Sequence, residues 1–130
     1  MAIIKSHTDL EQSKKLAKIL PLESADMYFE KGIGDNYKET FGNYADMRIT
    51  ENMLGIKTIP CWSLSALLEL LPKTINNNFG LIHRLHITPK EKDWMIGYKC
   101  NNEELYGTFA DNFFDACYEM IIKLNEKGLL

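Results

Sequence analysis

Leu81-Ile82-His83-Arg84-Leu85-His86-Ile87, Trp94-Met95-Ile96-Gly97-Tyr98-Lys99-Cys100 and Leu105-Tyr106-Gly107-Thr108-Phe109 decide the fold. In the first run Leu81, Leu85 and Ile87 alternate with Arg84 and His86. In the second, Trp94, Ile96, Tyr98 and Cys100 alternate with Met95, Gly97 and Lys99. A period of two places alternate side chains on opposite faces of a pleated strand. The links are short and polar: Pro89-Lys90-Glu91-Lys92-Asp93, then Asn101-Asn102-Glu103-Glu104. Short links force antiparallel neighbours, so residues 80–109 are expected to form a three-stranded meander.

A sheet with one apolar face needs a cover, and the next segment supplies it. Phe113, Cys117, Met120, Ile121 and Leu124 recur at helical spacing over residues 111–127, with Phe114 at the margin. Asn112 and Asp115 form a reciprocal cap, and Gly128 is placed to end the helix. Upstream, two more helices are expected. One covers residues 8–20, opened by a Thr8/Glu11 capping box and stopped by Pro21. The other covers residues 63–71, capped by Ser63, striped with Leu64, Leu67, Leu68 and Leu71, and ended by Pro72. The expectation is therefore α+β: an antiparallel sheet with a C-terminal meander, covered by helices, in a single domain over residues 1–130.

The stretch between the first two helices reads differently. Met27-Tyr28-Phe29 suggests a short strand. Glu30 to Tyr44 is polar, carries Gly32, Gly34 and Gly42, and reads as a long loop. Tyr44 to Thr50 alternates Ala45, Met47 and Ile49 with Asp46 and Arg48, which predicts a second strand pairing with the first. Asn76-Asn77-Asn78 with Gly80 reads as a turn.

Bulk properties exclude several function classes. At 130 residues and 45% hydrophobic, the chain can bury a core without staples. A net charge of -3 creates no strong field toward nucleic acid or anionic lipid. The only arginines, the usual readers of phosphate and guanine, are Arg48 and Arg84. Lys14, Lys15 and Lys18 form a solvated helix face. The first residues lack an apolar leader pattern, and no run approaches the ~20 apolar residues that span a bilayer. Cys61, Cys100 and Cys117 are far apart, with no C-x-x-C, and read as reduced thiols in a cytoplasm. Neither nucleic acid nor membrane is expected as a partner.

No catalytic, metal or nucleotide motif stands out. His83 and His86 are three apart on a strand, so they point to opposite faces and cannot chelate together. Cys61 precedes a helix start, where thiol pKa can fall, but a small buried residue is the better reading. Gly32-Ile33-Gly34-Asp35 lacks the third glycine of a dinucleotide loop. No cofactor, metal or catalytic residue is expected. The candidate surface for a ligand or a protein partner is Tyr28, Tyr37, Phe41 and Tyr44, aromatics crowded around the expected loop. Asp26 and Asp46 join it as acids in apolar surroundings with no local partner. An accessory or interaction protein, with a protein partner or self-associating, fits this pattern. A small hydrolase or ligand-binding enzyme would require one of those acids to face an open cleft near the aromatics.

Three segments carry a resemblance: Ser13 to Phe29 (SKKLAKILPLESADMYF), Pro60 to Pro72 (PCWSLSALLELLP) and Asp111 to Leu130 (DNFFDACYEMIIKLNEKGLL). In order and spacing they are similar to small uncharacterised proteins of Bacteroidales bacteria, their phages and mobile elements. The resemblance implies a cytoplasmic accessory role and brings no site residues with it.

Overall fold

The computed structural model describes residues 5–34, 36–77, 79–101 and 103–130. The chain is α+β, with two antiparallel sheets and helices packed on them. Its backbone contacts divide it into two compact units, Ser6–Ala66 and Lys5 together with Leu67–Leu130.

In the unit Ser6–Ala66, helix α1 (Leu10–Ala17) is opened by Asp9, not Thr8. Asp9 accepts from the Gln12 amide at 2.8 Å, and Gln12 returns the bond to the Asp9 amide at 3.1 Å. Thr8 is instead fully buried, one position before the cap. Strands β1 (Met27–Lys31), β2 (Tyr37–Phe41) and β3 (Thr58–Cys61) form an antiparallel sheet ordered β2-β1-β3. The expected long loop is thus a hairpin: Met27 opposes Phe41 and Lys31 opposes Tyr37. Asp35 lies outside the described residues.

The expected strand over 44–50 is helix α2 (Tyr44–Leu54), and β1 pairs with β2 and β3 instead. The reason is a cap. Asn43 accepts from the Asp46 amide and Asp46 accepts from the Asn43 amide, both at 3.0 Å, which satisfies two orphan donors at a helix start. Met47 and Thr50, three apart, are the buried positions of this helix, while Ile49 is exposed. The apolar alternation was therefore incidental. Gly55 ends the helix at φ 65°, a left-handed conformation that suits glycine.

Register places Met27, Phe29, Ile59 and Cys61 on one side of this sheet, where Leu10 of α1 packs against them. Tyr28 lies on the other side and its hydroxyl meets Thr50 of α2 at 3.2 Å. The sheet therefore lies between α1 and α2.

Helix α3 (Leu64–Leu70) spans the boundary in sequence between the units. Ser63 caps it, accepting from the Ala66 amide at 3.2 Å.

In the other unit, β4 (Thr74–Asn76), β5 (Ile82–Pro89), β6 (Trp94–Cys100) and β7 (Glu103–Ala110) form an antiparallel sheet in that order. The meander is present, with β4 added at its edge. Asn76 belongs to that strand, and the turn is made by Asn77, whose side chain accepts from the Phe79 and Leu81 amides. Asn78 and Asn102 lie outside the described residues. Pairing Leu85↔Tyr98↔Tyr106 and Ile87↔Ile96↔Thr108 puts Trp94, Ile96 and Tyr98 on one side. Helix α4 (Phe113–Glu126) packs there against β6 and β7. The Trp94 and Phe113 rings are 5.4 Å apart, and Thr108 donates to the Ala116 carbonyl at 3.0 Å. Phe114 is buried, while Phe113 sits at the margin.

On the opposite side, Gly97 faces Gly107 across the strands. The Glu104 carboxylate lies over both, and a Cβ at Gly97 would come within 2.6 Å of Glu104 Oε1. These glycines make room for that side chain.

Candidate functional site

Of the aromatic and acidic residues singled out by the sequence, Tyr28 and Asp46 both lie against Gly42, next to Phe41, while Tyr37 sits at the other end of the β1–β2 hairpin. Tyr28 is a core residue, 5% exposed, bound through its hydroxyl to Thr50. Tyr44 is half-buried as the first residue of α2. Phe41 stands out at the end of β2, 84% exposed. Both acids serve helix starts. Asp46 belongs to the α2 capping box. Asp26 accepts from the Ser63 amide at 2.9 Å and from the Ser63 hydroxyl, bracing the entrance to α3. Each acid is exposed and held by a backbone amide. Tyr37 lines a concave surface.

That surface is an open cleft of about 380 Å³ within the unit Ser6–Ala66. The α2 end contributes Glu51, Asn52 and Gly55, and the run to β3 contributes Ile56, Lys57, Thr58 and Ile59. Tyr37 closes it from β2. Its volume falls in the range of small-molecule sites. The local sequence explains its shape. Gly55 turns the chain sharply at the helix end, its amide donating to the Glu51 carbonyl at 3.1 Å. Lys31 of β1 then donates to the Lys57 carbonyl at 2.9 Å, fixing the run before β3.

The polar groups of the cleft have distinct settings. The Thr58 hydroxyl donates to Glu51 Oε1, which orients the carboxylate and leaves its other oxygen available. Among the described residues Glu51 and Lys57 form no ion pair. The α2 carbonyl end adds partial negative charge beside Glu51. Sequence reasoning found Tyr37 but missed the remainder. The available signal was Gly55 two residues before Lys57 and three before Thr58, but it required α2 to be recognised as a helix.

The thiols are placed for packing. Cys61 is fully buried and donates to the Thr8 carbonyl at 3.4 Å. Desolvation by burial pushes its pKa up, outweighing the Thr8 and Ser13 hydrogen bonds. Burial raises Cys117 to about 12. Cys100 is half-buried. Both histidines lie on β5, at opposite parity. His83 is buried beside the Leu81 carbonyl, at 3.3 Å, and His86 meets the Thr88 hydroxyl. Leu81 precedes the strand and is 46% exposed, so it shares no inward face with His83.

One constellation was not visible in the sequence pattern. Ser6 Oγ lies 3.0 Å from His7 Nδ1, and His7 Nε2 lies 3.5 Å from Glu39 Oε1. The Phe29 ring steadies the imidazole from 6.0 Å, edge-on. Hydroxyl, imidazole and carboxylate are linked in series, but the hydroxyl is on Nδ1 and the carboxylate on Nε2, the reverse of a nucleophilic triad. Ser6 and Glu39 are exposed, and none of the three lines the cleft. Among the described residues no three His, Cys, Asp or Glu side chains gather to hold a metal, and no helix is long and apolar enough to cross a membrane.

No protein-family model, no curated protein and no solved structure matches the chain.

Proposed function

We propose that this chain is a non-enzymatic interaction or accessory protein of the cytoplasm, of the kind found among Bacteroidales bacteria, their phages and mobile elements. The observation that carries the interaction reading is the outward face of α2. Ala45, Ile49 and Met53 recur every four residues on the side away from buried Met47 and Thr50. Ile49 is 54% and Met53 78% exposed. Single exposed apolar residues are ordinary, but a helical stripe of them is a feature of surfaces that meet other proteins. Phe41, one turn of chain before the helix, adds an exposed aromatic ring of the type enriched at interface anchors. The three resembling segments support the cytoplasmic and mobile-element context.

Light scattering of the wild-type chain and of an Ile49→Glu/Met53→Glu variant tests the reading. Association at micromolar concentration that the charged pair abolishes is the expected result. A monomer at every concentration, together with a native-host pull-down in which wild type and variant retain the same proteins, would remove the support.

A further inference from the structure

We infer that the cleft at the end of α2 is a binding site for a small zwitterion of the α-amino-acid class, with its ammonium group on Glu51 and its carboxylate on Lys57. The reasoning starts from the two charges. The cleft holds one acid and one base, and among the described residues they do not neutralise each other. A ligand carrying only one charge would satisfy one of these side chains and be repelled by the other. Phosphate would meet a lone lysine beside a carboxylate and the negative end of α2. A simple amine would meet Lys57. An uncharged apolar ligand would desolvate both charges without replacing their water. A molecule bearing both signs answers both.

The surroundings fit that assignment. Glu51 is half-buried and held by the Thr58 hydroxyl, so one carboxylate oxygen is fixed and the other is left to accept from an ammonium group. The carbonyl end of α2 reinforces the preference for positive charge at that position. Lys57 is exposed, its backbone anchored to β1 while its long side chain can swing toward a carboxylate. Tyr37, Ile56 and Ile59 provide a wall of aromatic and aliphatic surface for a side chain. The volume of about 380 Å³ accommodates a single amino acid with water around it.

This inference does not rest on the partner reading, which concerns the outward face of α2. The test is a chemical-shift titration of the isotope-labelled full chain with each of the common free amino acids. Concentrations up to about 10 mM reveal even millimolar affinity. The expected result is saturable shifts at residues 51–59 and Tyr37 for at least one amino acid. For leucine, the matched probes are isoamylamine, which lacks the carboxylate, and 4-methylpentanoate, which lacks the ammonium group; other responders are paired with their own such analogues. Each analogue is expected to bind about tenfold or more weakly, the loss from one charge-assisted hydrogen bond. Glu51→Gln keeps an acceptor for Thr58, and Lys57→Met changes an exposed side chain, so both variants retain the fold, as their spectra will report. Each is expected to weaken the amino acid about tenfold. No amino acid shifting these resonances, or one-charge analogues binding as well as the zwitterion, or undiminished affinity in Glu51→Gln, would overturn the assignment.

Discussion

The units Ser6–Ala66 and Leu67–Leu130 are both sheets covered by helices, but they are held together differently. In the C-terminal unit a long helix lays Phe114, Cys117, Met120, Ile121 and Leu124 on the meander, and burial is almost wholly apolar. In the N-terminal unit polar groups are drawn into the interior. Thr8 hydroxyl meets Ser13 at 2.7 Å and accepts from the Trp62 amide at 3.1 Å, and Tyr28 meets Thr50. Trp62 is itself fully buried, with its indole N–H donating to Ser24 at 2.9 Å. Apolar burial is non-directional and tolerant, whereas a buried polar contact is directional and expensive to leave half-made. The N-terminal unit should therefore respond more sharply to the loss of single hydrogen-bonding atoms.

The largest effect is expected from Trp62→Ala, which empties the site of a fully buried indole and leaves Ser24 without its donor. Urea denaturation should show about 3–5 kcal/mol of destabilisation. Met120→Ala in the opposite unit, by cavity formation alone, sets the comparison. A Trp62 effect well below that of Met120 would break the contrast.

Thr8→Val keeps size and removes one hydroxyl. It leaves the Trp62 amide without its acceptor, and the expected loss is about 1–3 kcal/mol by the same measurement. Thr108→Val, which removes a hydroxyl in the C-terminal unit, should be milder. Equal losses would show that the two interiors do not differ in this respect.

The thiol of Cys117 sharpens the comparison through pH. Burial raises its folded-state pKa from 9.0 to about 12. Below pH 9 the thiol is neutral folded or unfolded, so the full stability is present. Between pH 9 and about 12 only the unfolded chain releases the proton, so stability falls as pH rises. The slope from this group approaches about 1.4 kcal/mol per pH unit. Denaturation midpoints across that window should flatten by this amount in Cys117→Ala. Cys61 is shifted in the same direction and contributes from the N-terminal unit.

The smallest effect belongs to Asn43→Ala, which removes the side chain that opens α2. About 1 kcal/mol is expected, with loss of helical circular dichroism. No change would mean that tertiary packing alone holds α2.

The difference between the units is also the difference in how much their sequence discloses. Odd and even positions over 81–109 separate cleanly enough to place Trp94, Ile96 and Tyr98 together, and the α4 face follows from its spacing. Over 44–54 the same rule misleads. Ala45, Met47 and Ile49 mimic a strand because the outward face of α2 happens to be apolar, and Asn43-Asp46 outweighs that pattern by satisfying helix-start donors. The capping of Ser63 by Asp26 could not be read at all, since the partners are 37 residues apart. The candidate cleft was equally hidden. Tyr37 was singled out for being aromatic, but Glu51, Lys57 and Thr58 become neighbours only once α2 ends at Gly55.

By itself the sequence determined the antiparallel meander, its covering helix and the positions of the caps at Ser63 and Asn112, because each depends on spacing or on contacts a few residues apart. Tertiary structure decided that Thr8 lies inside, that Asp26 and Asp46 brace helices, and that Glu51 and Lys57 line one open cleft. Those outcomes depend on which distant atoms meet, and a directional polar contact leaves no periodic trace along the chain.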